Sequence, residues 1–202
     1  IVSKYGIDPS PQVAAALNDP ANETPAADAL GIAGGETQII AKARDALGAV
    51  QAMAREQGFQ ITNLGDQLQA EARHLGASHA ALARRMAKDG SARVIISGGE
   101  TTVTVTNKAG RGGRNLEYLL GLAIALNGEP GIFAISCDTD GIDGTDDAAG
   151  ATIGPDTLAR ARAAGIDPGE YLASNYAYSF FEKLGDLVIT GPTLTNVNDF
   201  RA

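Results

Sequence analysis

Apolar residues recur at helical spacing between Ala43 and Gln57 (Ala46, Leu47, Val50, Met53, Ala54), and Gly58 closes the run. That pattern predicts an amphipathic helix ending at the glycine. Phe59 to Leu64 then alternates as a strand does, and a second long helix is predicted from about Gln67 to Lys88 with Gly90 beyond it. Arg93 to Ser97 is a short apolar run built on Val94, Ile95 and Ile96, and Thr101 to Thr106 alternates Thr with Val. Both read as strands, the second returning antiparallel because no crossover helix fits between them. A helix from Asn115 to Leu126, a buried strand from Gly131 to Ser136, helices over Pro155 to Ala164 and Tyr171 to Leu184, and a strand at Asp186 to Thr190 complete the chain. Ile39 and Ile40 suggest one more short strand. Strands alternating with helices of this length predict an α/β fold, a three-layer α/β/α arrangement around a mixed, mostly parallel sheet.

Before Thr37 the pattern is weaker. Residues 1–17 read as short helical or irregular structure, and Asn18 to Glu36, with Pro20, Pro25, Gly31, Gly34 and Gly35, reads as a linker. The expected organisation is therefore a segment over residues 1–36 and a domain over residues 37–202. Ile1 is an uncommon natural N-terminus, so a piece of a longer protein, or one lacking its first residues, is expected.

Composition narrows the classes. Of 202 residues, 44% are hydrophobic and 20% charged, which excludes a disordered chain. A net charge of −8 argues against a general nucleic-acid surface. No unbroken apolar stretch is long enough to span a membrane. The single cysteine, Cys137, excludes a disulfide framework within the chain and fits a reducing, cytoplasmic setting. Following an apolar strand, it reads as a packed small hydrophobe. His74 and His79 lie about 140° apart on their predicted helix, poorly placed to share a metal, and read as surface residues.

The 25 glycines exceed the usual share of about 7%, and they cluster. Three glycine-bearing polar loops leave three predicted strands: Ser97-Gly98-Gly99-Glu100-Thr101, Asp138-Thr139-Asp140-Gly141-Ile142-Asp143-Gly144, and Thr190 to Asp199. In an open α/β sheet the ligand crevice lies at the carboxyl ends of strands, where such loops can converge. A fourth element, Gly110-Arg111-Gly112-Gly113-Arg114-Asn115, puts two guanidiniums and close-approach glycines before a helix for which Asn115 is a good N-cap. It suits a phosphate or carboxylate, with the helix's N–H groups contributing, or it is a plain connection with solvated arginines. It is neither a P-loop nor a dinucleotide fingerprint, since Gly110-x-Gly112-x-x-Asn115 fails at its last position. Asp140 and Asp143 are candidate Mg²⁺ ligands, while Asp146 and Asp147 read as turn formers. Glu100 either orients an arginine or metal or caps backbone.

These four stretches resemble the C-terminal MOFRL region of glycerate 2-kinases, a family often labelled hydroxypyruvate reductase. The resemblance spans about residues 37 to 202 and rests on Gly98-Gly99-Glu100-Thr101-Thr102-Val103-Thr104-Val105, Gly112-Gly113-Arg114-Asn115-x-Glu117, Thr139 to Gly144 and Thr190-Gly191-Pro192-Thr193-x-Thr195-Asn196-Val197-Asn198-Asp199. Four positions depart from its pattern: Leu116 stands where Gln is usual, Leu194 and Asp138 where Gly is usual, and Tyr176 where Asp is frequent. The resemblance implies an N-terminal Rossmann-like domain that this chain lacks, residues 1–36 being the interdomain segment. It implies phosphorylation of D-glycerate at its 2-hydroxyl in a cleft between the domains, with ATP and Mg²⁺. On that basis Arg114 would bind the glycerate carboxylate or the transferring phosphoryl group, with Glu100 supporting it. Gly98, Gly99, Thr101, Gly113, Asn115, Asp140, Asp143, Thr193, Asn196, Asn198 and Asp199 would line the cleft. The implied partners are glycerate and the other domain, with neither nucleic acid nor membrane, and an oligomer is compatible. The alternatives are an NAD(P)H-dependent hydroxypyruvate reductase and a substrate lobe inactive by itself.

Overall fold

The computed structural model describes residues 2–26, 29, 36, 38–144 and 147–202. Gly31, Gly34 and Gly35 of the expected linker, Thr37 and Asp146 lie outside them. The chain divides into two compact units, Ile1–Ile40 and Ala41–Ala202. The first holds α1 (Val2–Tyr5), α2 (Pro11–Asn18) and a 3₁₀ turn (Pro20–Asn22), none with a buried residue. Ser10 caps α2 by accepting from the Val13 amide at 3.4 Å, and Pro11 occupies the first helical position.

The second unit runs α3 (Ala43–Glu56), β1 (Gln60–Asn63), α4 (Ala72–Ala87), β2 (Arg93–Ile96), α5 (Arg114–Leu126), β3 (Ala134–Asp138), β4 (Gly150–Ile153), α6 (Thr157–Ala163), α7 (Pro168–Ala173), α8 (Ala177–Leu184), β5 (Leu187–Val188) and β6 (Asp199–Arg201). α5 organises it. Its sequence is apolar on all sides, as a helix enclosed by its neighbours requires, and Leu116, Leu119 and Leu120 are fully buried. α4, α7, α8, β3 and β4 all pack against it. Two glycines set the approach of α4 to α5. A Cβ on Gly76 would meet the Leu122 amide at 2.8 Å, and one on Gly121 would meet the Arg73 carbonyl at 2.7 Å. The small residues let the helices touch backbone to backbone.

β1 and β2 pair in parallel, while β5-β4-β3-β6 form an antiparallel sheet. The α/β class with strands of both directions holds. The balance of directions differs from the expected parallel majority, because β3 to β6 are joined by loops and short helices rather than by parallel crossovers. One antiparallel bridge, Ser97 to Arg201, links β2 to β6.

Thr101–Thr106 is not a strand. It makes one parallel bridge, Thr102 to Glu71, and side chains hold the rest. The Glu71 carboxylate accepts from the Thr104 amide at 2.8 Å, and Asn175 Oδ1 accepts from the Thr106 amide at 2.9 Å. Ile39 and Ile40 form no strand and are exposed. The second long helix starts at Ala72 rather than Gln67, since Leu68 and Glu71 bridge to Gly99 and Thr102 in extended form. The helix expected over Tyr171–Leu184 is two, parted where Asn175 turns left-handed at φ 56°. β4 and β6 escaped the sequence reading, one opening on a glycine and the other only three residues long. Among the described residues no helix is long and apolar enough to cross a membrane.

Candidate functional site

The loop after β2 is shaped by glycine. Gly99 sits at φ 109°, and a side chain there would strike the Leu68 backbone. This turn lets the Glu100 amide donate to the Leu68 carbonyl at 3.0 Å and the Asp199 amide donate to the Gly99 carbonyl at 3.3 Å. Glu100 is thereby presented beside β6, its side chain more than half exposed.

The loops after β3 and before β6 are tied to each other. Thr139 Oγ1 donates to the Asn198 carbonyl at 2.8 Å and accepts from the Val197 amide at 2.9 Å. Thr193 donates through its amide to the Asp140 carbonyl at 3.0 Å and through its hydroxyl to the Thr139 carbonyl at 2.5 Å. Asn196 Nδ2 reaches Asp140 Oδ2 at 3.2 Å. A Cβ on Gly141, at φ 96°, would collide with the Gly191 carbonyl, so the two loops meet only because that position is glycine. Leu194 adopts a left-handed φ of 60° and is almost wholly exposed.

Arg114, the first residue of α5, joins these loops. Its Nε donates to Asp199 Oδ1 at 2.8 Å, its Nη1 to Glu100 Oε1 at 3.1 Å and its Nη2 to Asp138 Oδ2 at 2.6 Å. Each carboxylate comes from a different loop or strand end. Three of the five guanidinium N–H donors are engaged in these bonds. Burial works against the Arg114 charge, but the Asp199 hydrogen bond and the charges of Asp199, Asp138 and Glu100 outweigh it, raising the pKa above the ordinary arginine value. Burial raises Asp138 above the usual carboxylate range, against the opposing pull of the Asp140 amide and Arg114.

A buried layer supports this centre. Arg201, 1% exposed, donates to Asp199 Oδ2 at 2.5 Å, to the Gly98 carbonyl at 3.0 Å and to Thr101 Oγ1 at 3.4 Å. Asn115 Nδ2 donates to Asp199 Oδ1 at 2.8 Å, and Ser136 Oγ donates to Asn115 Oδ1 at 2.6 Å. Asp143 accepts the amides of Asn115 and Leu116 at 3.0 and 2.9 Å, one on each oxygen. Its carboxyl is pushed up to about 6 by burial, against those hydrogen bonds.

This layer changes two sequence-based readings. Asn115 is not the N-cap: the helix begins at Arg114, Gly113 holds the cap position, and Asp143 supplies the capping oxygens from 28 residues downstream. Two of the first-turn N–H groups expected to face an anion, those of Asn115 and Leu116, are therefore taken by Asp143. Gly113 is required by that arrangement, since a Cβ there would overlap the Asp143 carboxyl.

Of the expected site residues, Glu100, Arg114 and Asp199 meet directly. Asp140, Thr193, Asn196 and Asn198 form the adjoining loop pair, and Gly98 and Gly99 shape the first loop. Thr101, Asn115 and Asp143 are buried behind the guanidinium rather than facing solvent. Arg111 is not among Arg114's partners: it lies 4.0 Å from the centroid of the Tyr178 ring and pairs with Glu182 at 3.7 Å. Asp138 and Arg201 escaped the sequence reading as site residues: the pairing of β3 with β6 brings Asp138 to Asp199, and Arg201 reaches the same carboxylate from two residues further along β6. Two guanidiniums, Arg114 and Arg201, thus stand against four carboxylates, Glu100, Asp138, Asp143 and Asp199, and Asp140 adds a fifth negative charge beside Asp138. Among the described residues no group of three or more His, Cys, Asp or Glu converges as a metal centre. Cys137 is pushed up to about 12 by burial and by Asp143 and Asp138, which suits a packed thiol rather than a nucleophile. His79 is not a surface residue. Its Nδ1 lies 2.8 Å from the Tyr118 hydroxyl, and burial and the nearby Arg201 charge lower its pKa to about 4.

Comparison with known proteins places the same stretch. A protein of Agrobacterium vitis named "Putative hydroxypyruvate reductase" is 49% identical over 207 residues, covering 100% of this chain and 46% of its own length. The D-glycerate 2-kinase of Thermotoga maritima is 37% identical over 203 residues, covering 98% of this chain and 47% of its own. The crystal structure of a Thermotoga maritima glycerate kinase superposes with a TM-score of 0.80 at 36% identity, over 99% of this chain and 47% of that one. The chain spans about half the length of the curated relatives it matches. The pattern of the MOFRL family matches residues 93–199, the stretch that carries Arg114 and its three carboxylates, and the chain belongs to that family.

Proposed function

We propose that this chain is one lobe of a glycerate 2-kinase, lining the cleft in which ATP phosphorylates the 2-hydroxyl of D-glycerate. The observation that carries this reading is Arg114, held by three carboxylates from separate loops and left with N–H donors not engaged in those bonds. Phosphoryl transfer asks a protein for positioning and charge stabilisation rather than covalent help, and a guanidinium fixed in this way offers both. Arg114 orients the glycerate carboxylate or the transferring phosphoryl group. Glu100, Asp138 and Asp199 keep its plane fixed, and Asp143 with Asn115 fixes the end of α5 from which it projects. The loop pair around Asp140, Thr193, Asn196 and Asn198 bounds the substrate side.

Five carboxylates around two guanidiniums repel a free polyphosphate, so the nucleotide needs a cation. Mg²⁺ takes one or two carboxylates and completes its shell with water and phosphate. The exposed Glu100 fits that role with the oxygen outside its Arg114 bond, and Asp140 fits it by giving up the Ile142 amide or Asn196, which occupy its two oxygens. Asp143 does not, because both its oxygens cap α5. When bound with ATP, the cation would neutralise phosphate charge. Residues 1–36 act as an interdomain segment, the opposite wall comes from the other half of the family architecture, and the setting is cytoplasmic.

A polypeptide joining this chain to that other half is expected to form ADP and 2-phosphoglycerate from ATP and D-glycerate, and the chain by itself to turn over neither. NADH oxidation with hydroxypyruvate, without glycerate-dependent ADP formation, would replace the kinase reading with the reductase one.

A further inference from the structure

The three carboxylates on Arg114 are held unequally. Asp199 is fully buried at its side chain and accepts from Arg201 and Asn115 as well as from Arg114 Nε. The Asp138 side chain is 4% exposed, takes Nη2 at 2.6 Å through Oδ2 and accepts the Asp140 amide at 3.3 Å through Oδ1. The Glu100 side chain is 57% exposed, and among the described residues its only hydrogen bond is the one from Arg114 Nη1, at 3.1 Å the longest of the three. The backbone beneath it is fixed, because the Glu100 amide donates to the Leu68 carbonyl at 3.0 Å and the Thr102 amide to the Ala70 carbonyl at 2.9 Å. Glu100 can therefore leave the guanidinium by turning its own side chain without moving its loop, a fast change for an exposed residue.

Charge decides whether it leaves. Arg114 carries one positive charge against three negative ones, so an anion added to the intact set would meet an excess of like charge. A carboxylate exchanged for Glu100 leaves that count as it was, whereas a doubly charged phosphoryl group would add to it. Breaking the bond to Asp138 or Asp199 would strand a buried carboxylate, while an exposed ion pair is weak and its carboxylate re-enters water. We propose that Glu100 is an internal stand-in for the substrate's carboxylate: it occupies Arg114 Nη1 until that carboxylate displaces it. The proposal rests on the reading of Arg114 as the group that binds the substrate, and it selects the carboxylate as the part bound. Asp138 on Nη2 and Asp199 on Nε keep the guanidinium in its plane throughout the exchange. The exchange also selects for charge, because a neutral hydroxyl compound offers Nη1 a weaker acceptor than the carboxylate it would displace.

The test measures D-glycerate binding to the chain by isothermal titration calorimetry, with inorganic phosphate and glycerol as separate titrants. It compares the parent with Glu100→Gln and with Glu129→Gln, which removes the same charge beyond the far end of α5, about 20 Å from Arg114. Glu100→Gln is expected to tighten D-glycerate binding at least about threefold, in keeping with the loss of an exposed ion pair, and Glu129→Gln to leave it unchanged. Equal or weaker binding by Glu100→Gln would overturn the proposal, because removing a fixed support weakens a site. An equal gain in Glu129→Gln would overturn it too, as would a gain for phosphate alone, or one for glycerol as large as that for D-glycerate. Failure of all three chains to bind D-glycerate would also overturn it. The expected tightening, without ADP formation by the polypeptide that joins this chain to the other half, would overturn the kinase reading and leave the exchange standing.

Discussion

Arg114 Nε donates to Asp199 Oδ1 at 2.8 Å across 85 positions of sequence, and Asp199 Oδ2 accepts in turn from Arg201 at 2.5 Å. Asp199 is fully buried at its side chain, so one carboxylate is shared by two guanidiniums and linked through Asn115 to the cap of α5. Removing one partner from such a group leaves uncompensated charge, which costs more than the pair itself contributes. The centre therefore couples fold and site: a change in the supporting layer displaces Arg114.

Gly113→Ala tests that coupling through sterics alone, since Gly113 has φ −141°, a conformation open to any residue. The added Cβ would displace the Asp143 carboxyl from the first turn of α5. A loss of about 1–3 kcal/mol in urea unfolding is expected, the range for overpacking a tight interior. An alanine variant as stable as the parent would show that the cap is not held against Gly113.

Asp143→Asn removes a titration from the same place. The folded pKa of Asp143 is raised to about 6 from an ordinary 3.8. Between those values the folded state holds the proton and the unfolded state does not. Its contribution is thus fully present below about pH 4 and lost as pH rises through 6. Parent stability relative to Asp143→Asn should grow on acidification from pH 7.5 to 4, as read by denaturant midpoints. A pH-independent difference would contradict the assignment.

His79 gives the opposite sign. Its folded pKa is lowered to about 4 from 6.5, so its contribution is present above 6.5 and lost as pH falls through 4. His79→Phe should flatten the parent's loss of stability across that window, and an unchanged acid profile would show that the imidazole is not held neutral against Tyr118.

Asn175 carries two loads, a left-handed backbone and a side chain that links two segments. Its Oδ1 accepts from the Thr106 and Asn107 amides at 2.9 and 3.3 Å, and its Nδ2 donates to the buried Glu117 at 3.1 Å. Asn175→Ala should cost about 2–4 kcal/mol. Asn175→Gly should cost about 1 kcal/mol less, because glycine accepts φ 56° without strain. Equal losses in thermal unfolding would assign the whole effect to the side chain.

Local pattern carried the elements whose own sequence decides their state. α5 is apolar all round, and the glycines before Glu100 and Arg114 marked the loops that meet. The Thr-Val run alternates without being a strand, because alternation describes any extended segment, including one held by the Glu71 and Asn175 side chains. The residue type of Asn115 suits a cap, yet the capping carboxylate comes from Asp143, whose distance in sequence hides it. Asp138 joins the site through the antiparallel pairing of β3 with β6, and Arg201 through its place two residues beyond Asp199 on β6; a three-residue strand carries no periodicity to announce either.

The role of Arg114 is the most direct point of attack. In a polypeptide joining this chain to the other half of the family architecture, Arg114→Lys keeps the charge but loses the planar fork that three carboxylates hold. ATP- and D-glycerate-dependent ADP formation should fall at least about 100-fold in kcat/KM, equivalent to about 2.7 kcal/mol of transition-state stabilisation, with circular dichroism unchanged. A variant that folds and retains the parent kcat/KM would contradict the placement of this guanidinium at the centre of the site.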